Sequence, residues 1–229
     1  TSGMFYAHAS VGTLHIRPVL NMKSDEDIKN MKSISQEAFE MVKNYKGSHS
    51  GEHGDGIVRS EFHEMMFGKK IINAFEEIKD IFDNKNLLNP GKIVRPYKSN
   101  DRSLMRYKSG YQANNINTHY DWSNWGQFSD AVEMCNNNGA CRKLDSGVMC
   151  PSYRVTKEEK DLVRGRANTL RLALSNQLPE GSFASKDMYE TMELCVSCKA
   201  CQRECPMSVD MAKMKSEFLS HYYKKFSMP

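Results

Sequence analysis

The 229 residues carry 32 Lys and Arg against 28 Asp and Glu, a formal net charge of +4, with 39% hydrophobic residues. That balance excludes collagen-like and disordered classes, and the small charge, without a basic stretch interleaved with aromatics, excludes nucleic acid as an expected partner. No apolar run reaches the roughly 18 residues that span a bilayer, so the sequence predicts a cytoplasmic protein, free or attached to a membrane surface.

Tyr6 to Leu20 reads as strand, turn and strand and carries His8 and His15. Residues 25 to 46 place Ile28, Met31, Ile34, Phe39 and Val42 at helical spacing behind Ser24, an N-cap residue type. A polar loop, Gly47 to Arg59, follows. Its glycines at 51, 54 and 56 let the backbone approach a ligand closely and bracket Glu52 and His53. Two imidazoles and a carboxylate, His8, His15 and Glu52, make an open divalent-metal site of the kind that polarises a substrate oxygen. His53 then remains as an acid/base. The bland reading of these residues is packed histidines beside an ordinary turn; His49, His63, His119 and His221 are assigned no role. A second helix is predicted over Lys69 to Phe82, with Ile71, Ile72, Phe75, Ile78 and Phe82 on one face, stopping before Asn89-Pro90-Gly91.

From Tyr97 to about residue 120 the chain is polar and poor in aliphatics, as an irregular linker is. Beyond it, Thr156-Lys-Glu-Glu159 matches a capping box and predicts a helix from there to about Gln177. Residues 195 to 206 then read C-x2-C-x2-C-x3-C-P, the ligand spacing of cubane iron–sulfur clusters. Cys135, Cys141 and Cys150-Pro151 resemble a second such run lacking one cysteine, with Asn138 standing in its place. If the halves cross-ligate as in two-cluster ferredoxins, Cys150, Cys195, Cys198 and Cys201 hold a [4Fe-4S] cluster. Cys135, Cys141 and Cys205 then hold a second, either [3Fe-4S] or [4Fe-4S] with a non-cysteine ligand. Structural zinc is the competing reading, although its sites pair two C-x2-C knuckles across a longer stretch. Seven cysteines argue against a purely disulfide role. Arg142, Lys143, Arg154, Arg164 and Arg166 lie near the cysteines in sequence, where they offset cluster charge, meet an acidic partner, or simply form a solvated face.

His8-Ala-Ser-Val-Gly-Thr-Leu-His15, Gly51-Glu-His-Gly-Asp-Gly56 and Leu88-Asn-Pro-Gly-Lys-Ile93 resemble the C-terminal part of the FAD-linked D-2-hydroxy acid dehydrogenases, the group acting on D-lactate, glycolate and D-2-hydroxyglutarate. The resemblance covers residues 1 to about 96. It implies that His8, His15 and Glu52 bind a divalent metal such as Zn or Mn, that His53 is the base, and that Asn89 lies toward the cofactor. The motif departs from the common His-x-Gly-Asp-Gly-Asn-Leu-His-x-Asn at Ser10, Val11, Thr13 and Arg17. Arg17 offers a cation to a substrate carboxylate, which suits a dicarboxylate.

Met134-Cys to Lys143, Val148 to Thr156 and Arg164-Gly-Arg-Ala167 resemble the iron–sulfur module of the large bacterial FAD and iron–sulfur D-2-hydroxyglutarate dehydrogenase-like proteins. The expected organisation is α+β: residues 1–96, the C-terminal part of a FAD-linked oxidase substrate domain; 97–120, a linker; and 121–229, a mainly helical, ferredoxin-like iron–sulfur domain. With no glycine-rich pyrophosphate loop, the chain is expected to be an internal portion of a larger polypeptide whose FAD domain lies upstream. The implied activity is oxidation of a small 2-hydroxy acid, with electrons leaving through the clusters to a quinone or a protein acceptor. The alternative is an iron–sulfur electron-transfer subunit without substrate chemistry of its own.

Overall fold

The structure is a computed structural model and describes residues 2–228. The chain divides into two compact units between Tyr111 and Gln112. The polar segment expected as a linker is thus divided between them.

The first unit opens with an antiparallel hairpin, β1 (Gly3–His8) and β2 (Thr13–Pro18). Gly12 closes the turn at φ +64°, a left-handed conformation that suits a residue without Cβ. Side chains alternate across the hairpin, so Tyr6, His8, His15 and Arg17 share one face while Phe5, Leu14 and Ile16 occupy the other and are exposed. Helix α1 (Asp25–Asn44) begins as expected at Ser24, whose Oγ accepts from the Asp27 amide at 3.3 Å. Asp25, Glu26 and Asp27 then sit at the positive end of the helix dipole and Lys43 at its negative end. Short helices α2 (Gly56–Arg59) and α3 (His63–Phe67) follow, then the expected α4 (Lys69–Phe82). Lys32 of α1 reaches Glu61 at 3.0 Å. Burial pushes the Glu61 carboxyl up, but bonds from Ser99 and Lys32 outweigh this and hold it below its ordinary range. The interior is small: among the described residues of this unit only Ile28, Phe62 and Val94 are fully buried apolar side chains, and His49 and His63 are buried with them.

The second unit is helical, and no strand occurs among its described residues. Its helices are α5 (Phe128–Glu133), α6 (Pro151–Thr156), α7 (Val163–Leu174), α8 (Lys186–Glu193), α9 (Ala200–Glu204) and α10 (Met211–Lys225). They enclose a core around Phe128, Val132, Leu162, Leu170, Met192 and Phe218. The capping box expected at Thr156 is absent. Thr156 ends α6, Lys157 turns left-handed at φ +61°, and the Thr156 hydroxyl accepts from Glu158 rather than Glu159. A 3-10 turn at Glu159–Asp161 follows, and the long helix starts only at Val163. That turn crosses α7 at Gly165, where a Cβ would stand 1.9 Å from the Glu159 carbonyl oxygen. Glu217 on α10 is fully buried and accepts from the amides of His119 (2.9 Å) and Tyr120 (3.0 Å), from Trp122 Nε1 (3.0 Å) and from His221 Nε2 (3.2 Å). This pins residues 119–122 to the helix. No helix among the described residues is long and apolar enough to cross a membrane.

Candidate functional site

Pairing of Tyr6 with His15, and of His8 with Thr13, brings His8 and His15 to one face with their ring centroids 4.9 Å apart. The Tyr6 ring stacks on His15 at 4.3 Å with planes 8° apart, and Arg17 lies 4.9 Å over Tyr6. Glu52 arrives from the glycine-rich loop. At Gly51 that loop passes so close to β2 that an added Cβ would meet the Thr13 side chain at 2.7 Å, so glycine there lets Glu52 reach the histidines. Glu52 Oε1 lies 2.7 Å from His15 Nε2, 3.6 Å from His8 Nε2 and 3.4 Å from His53 Nε2.

The buried His15 Nε2 makes no hydrogen bond despite the 2.7 Å approach. Nitrogen and oxygen instead converge on common space. One atom each from His8, His15 and Glu52 lies within 4.8 Å of the others, whereas ligands of a tetrahedral ion at 2.0–2.1 Å sit roughly 3.4 Å apart. The donor set therefore fits a divalent ion after a small adjustment. His53 is 69% exposed, adjoins this group and is not one of its three members. Asn89 belongs to neither this group nor the thiol cavity described next; it is exposed, and its side-chain oxygen accepts from Lys92 at 3.3 Å.

In the second unit, Cys150, Cys195, Cys198 and Cys201 line one cavity. Ser197 and Lys199 take left-handed φ values of 53° and 58°, curling the run around the cavity. Among the described residues no three cysteine sulfurs lie within 4.8 Å of one another. Zinc with four thiolates at about 2.3 Å needs sulfurs about 3.8 Å apart. Four thiols spread around one cavity, with no three sulfurs that close, fit a larger cluster. Apolar walls from Met149, Val163 and Met211 enclose it. Burial pushes the Cys201 thiol up to about 11, so loading must displace its proton.

Charged residues other than the cysteines shape this cavity. Arg166, fully buried, donates to Cys150 Sγ at 3.6 Å, Ser152 Oγ at 3.1 Å and the Thr191 carbonyl at 3.0 Å, with the Asp161 carboxylate 3.9 Å away. It is thus no part of a solvated face. Arg164 pairs with Glu159 at 2.6 Å, and Arg154 donates to the carbonyls of Leu144 and Asp145. Glu204 accepts from the amides of Val148 and Met149 at 2.9 Å each, clamping the Cys150 segment to α9. Lys215 donates to the Cys195 carbonyl at 2.7 Å. Glu204 sits inside the C-x3-C interval, and its charge there was the available signal.

Cys135 and Cys141 are buried near one another; burial pushes the Cys141 thiol up, Cys135 adds to this and Arg164 opposes it. Cys205 does not line the four-thiol cavity. Asn138 is engaged locally: its side-chain oxygen accepts from the Ala140 amide at 2.8 Å and its amide group donates to Asn136 Oδ1 at 2.5 Å. A third group, unexpected from the sequence, unites His49, Asp55 and His63, two of them assigned no role above.

The geometry thus gives one unit a partly exposed histidine–carboxylate site and the other a thiol-lined cavity in which Cys150 and Cys201 are buried and Cys198 is exposed. Residues 1–93 match the family described as FAD linked oxidases, C-terminal domain, and residues 131–209 the 4Fe-4S dicluster domain. The chain thus carries one match in each of its two units. Along 99% of its length it is similar to D-2-hydroxyglutarate dehydrogenases of Pantoea ananatis (31% identical), Pseudomonas putida (32%) and Escherichia coli (30%), and it spans a quarter (25%) of the length of each. Over 38% of the chain it is 32% identical to the glycolate oxidase subunit GlcD of Bacillus subtilis, covering 19% of that protein. No solved structure matches it.

Proposed function

We propose that this chain is the substrate-metal and electron-outlet portion of a FAD-dependent dehydrogenase that oxidises a D-2-hydroxy acid, of the 2-hydroxyglutarate or lactate type, to the 2-oxo acid. The observation that carries the reading is the convergence of His8, His15 and Glu52 with His53 beside them, in a chain that also builds a four-thiol chamber. A bound divalent ion supplies Lewis acidity that lowers the pKa of the substrate hydroxyl. FAD supplies a two-electron acceptor, and iron–sulfur clusters carry the electrons onward one at a time.

The chain's own residues do the rest. His8, His15 and Glu52 hold the ion, with Tyr6 stacked on His15 to fix its ring. His53, exposed and with its Nε2 3.4 Å from Glu52 Oε1, takes the hydroxyl proton. Arg17, anchored over Tyr6, receives a substrate carboxylate, and Asn89 contacts the cofactor. Cys150, Cys195, Cys198 and Cys201 ligate a [4Fe-4S] cluster in a ferredoxin-like crossing of the two runs. Cys135, Cys141 and Cys205 form a three-cysteine site for a second cluster, [3Fe-4S] or [4Fe-4S]; the local engagement of Asn138 supports three ligands rather than four. The acceptor beyond is a quinone or a protein, and the protein works in the cytoplasm or at a membrane surface.

The test uses the chain itself, reconstituted anaerobically with iron and sulfide and loaded with Co2+ as a reporter. D-2-Hydroxyglutarate or D-lactate should change the Co2+ visible spectrum, and the change should disappear in His15→Ala. A Co2+ spectrum indifferent to every 2-hydroxy acid would remove the substrate role. Reconstituted protein lacking a low-temperature EPR signal after reduction would remove the electron-outlet role.

A further inference from the structure

His49, Asp55 and His63 lie outside the proposed substrate site, and their placement is unlike that of surface histidines. Asp55 Oδ2 is 2.9 Å from His63 Nε2 and Asp55 Oδ1 is 3.8 Å from His49 Nε2. One ligand atom from each residue lies within 4.8 Å of the others. The His49 side chain is 1% exposed and that of His63 3%. Both ring nitrogens of His49, Nδ1 of His63 and Oδ1 of Asp55 are buried without a hydrogen-bond partner. Buried polar atoms are nearly always satisfied, and each orphan costs about 1–3 kcal/mol. A neutral imidazole offers one lone pair and keeps one N–H, so an ion held here would take one His49 nitrogen and Asp55 Oδ1, both otherwise without a partner.

We propose that His49, Asp55 and His63 form a second divalent-metal site, distinct from His8, His15 and Glu52, that takes Zn2+ or a similar borderline transition ion as a structural element. Two imidazoles and a carboxylate are a donor set for such ions, whereas Ca2+ and Mg2+ prefer oxygen. The surroundings favour retention over turnover: Phe39 lies 5.2 Å and Phe67 5.8 Å from His49, ring to ring, and both approach edge-on. Arg59 donates to the Gly54 carbonyl at 3.3 Å, within the loop that His49 and Asp55 flank.

The location gives the ion a role. His49 and Asp55 flank Glu52 and His53 on the loop, and His63 opens α3. An ion bound by all three staples the two ends of that loop to the helix. It would hold the exposed site in place from beneath, in a unit whose apolar core is small. The existence of this site does not depend on the hydroxy-acid reading, because its residues are separate.

The experiment removes the exposed site first. The reconstituted chain carrying His15→Ala and Glu52→Gln, neither of which touches the buried trio, is dialysed against Zn2+ or Co2+. Its metal content is then compared with the same chain additionally carrying Asp55→Asn. The expected result is one more tightly held Zn2+ in the first protein, with affinity falling by at least about a hundredfold on Asp55→Asn. Co2+ there should give visible d–d bands without a thiolate charge-transfer band. Equal zinc in the two proteins, or Co2+ bound only with thiolate character, overturns the proposal. If Asp55→Asn proves unfolded by circular dichroism, the Co2+ spectrum of the first protein decides alone: absence of the imidazole-type bands overturns the site.

Discussion

Glu217→Gln tests the anchor that fastens the start of the second unit to α10. Each carboxylate oxygen serves two donors: Oε1 accepts from His119 N and His221 Nε2, Oε2 from Tyr120 N and Trp122 Nε1. Glutamine keeps one oxygen and presents an amide NH2 where the other stood. The cheaper orientation keeps the oxygen on Tyr120 and buried Trp122, and a neutral His221 can turn its lone pair to the new donor, leaving the His119 amide orphaned. One orphaned buried donor at about 1–3 kcal/mol, plus weakening of bonds that had been charge-assisted, gives a loss of about 3 kcal/mol. For a unit of this size that is a fall of about 12 °C in Tm. The assay is thermal unfolding of the reconstituted chain, followed by circular dichroism and read as the gap between wild type and variant. The carboxyl is pulled below its ordinary value because the bonds from Trp122, His119, Tyr120 and His221 outweigh desolvation, the largest single influence, which pushes it up. Its contribution is therefore fully present above the unfolded carboxylate pKa, near 4.3, and is lost as pH falls through the lower folded value. The gap should narrow on acidification from about pH 5 toward 3. A fall of under about 3 °C at neutral pH, or a gap that widens in acid, would refute the reasoning.

Cys150→Ser should delete the same EPR-active centre as Cys198→Ser, while Cys205→Ser spares it; the reverse pattern would mean that the runs do not cross-ligate. Arg166→Met, which removes a fully buried cation 3.6 Å from Cys150 Sγ, should lower that centre's reduction potential by tens of millivolts, partly offset by Asp161, in a spectroelectrochemical titration. An unchanged or raised potential would show that the guanidinium does not feel the centre's charge. Gly165→Ala, placing a Cβ 1.9 Å from a carbonyl oxygen, should destabilise the second unit by about 3 kcal/mol or more in urea unfolding, and an effect under about 1 kcal/mol would mean that the 3-10 turn shifts aside.

The two long helices of the first unit were legible because their apolar spacing is regular and Ser24 is a cap residue type. Cys195, Cys198 and Cys201 were legible from their spacing, and Cys150 joined them only through the cross-ligation expected of two-cluster ferredoxins. The capping box failed for a local reason. Thr156 sits at the end of one helix and its hydroxyl satisfies the next turn, so the same four residues close an element rather than open one. Arg166 and Glu204 were hidden because a charge near a motif looks alike whether it faces water or backbone amides. His49 and His63 escaped for the opposite reason: they stand 14 residues apart with no shared motif, and only the fold of the loop against α3 brings them to one aspartate.

Cys150 and the run beginning at Cys195 are separated by about 45 residues, yet they share one cavity. Anything bonded to both closes a loop of that length, and by the chain-entropy account such a closure is worth roughly 4 kcal/mol against the unfolded chain. The electron carrier would then double as a cross-link. On the function proposed above, loss of a cluster held there would cost the second unit a tether as well as conductivity.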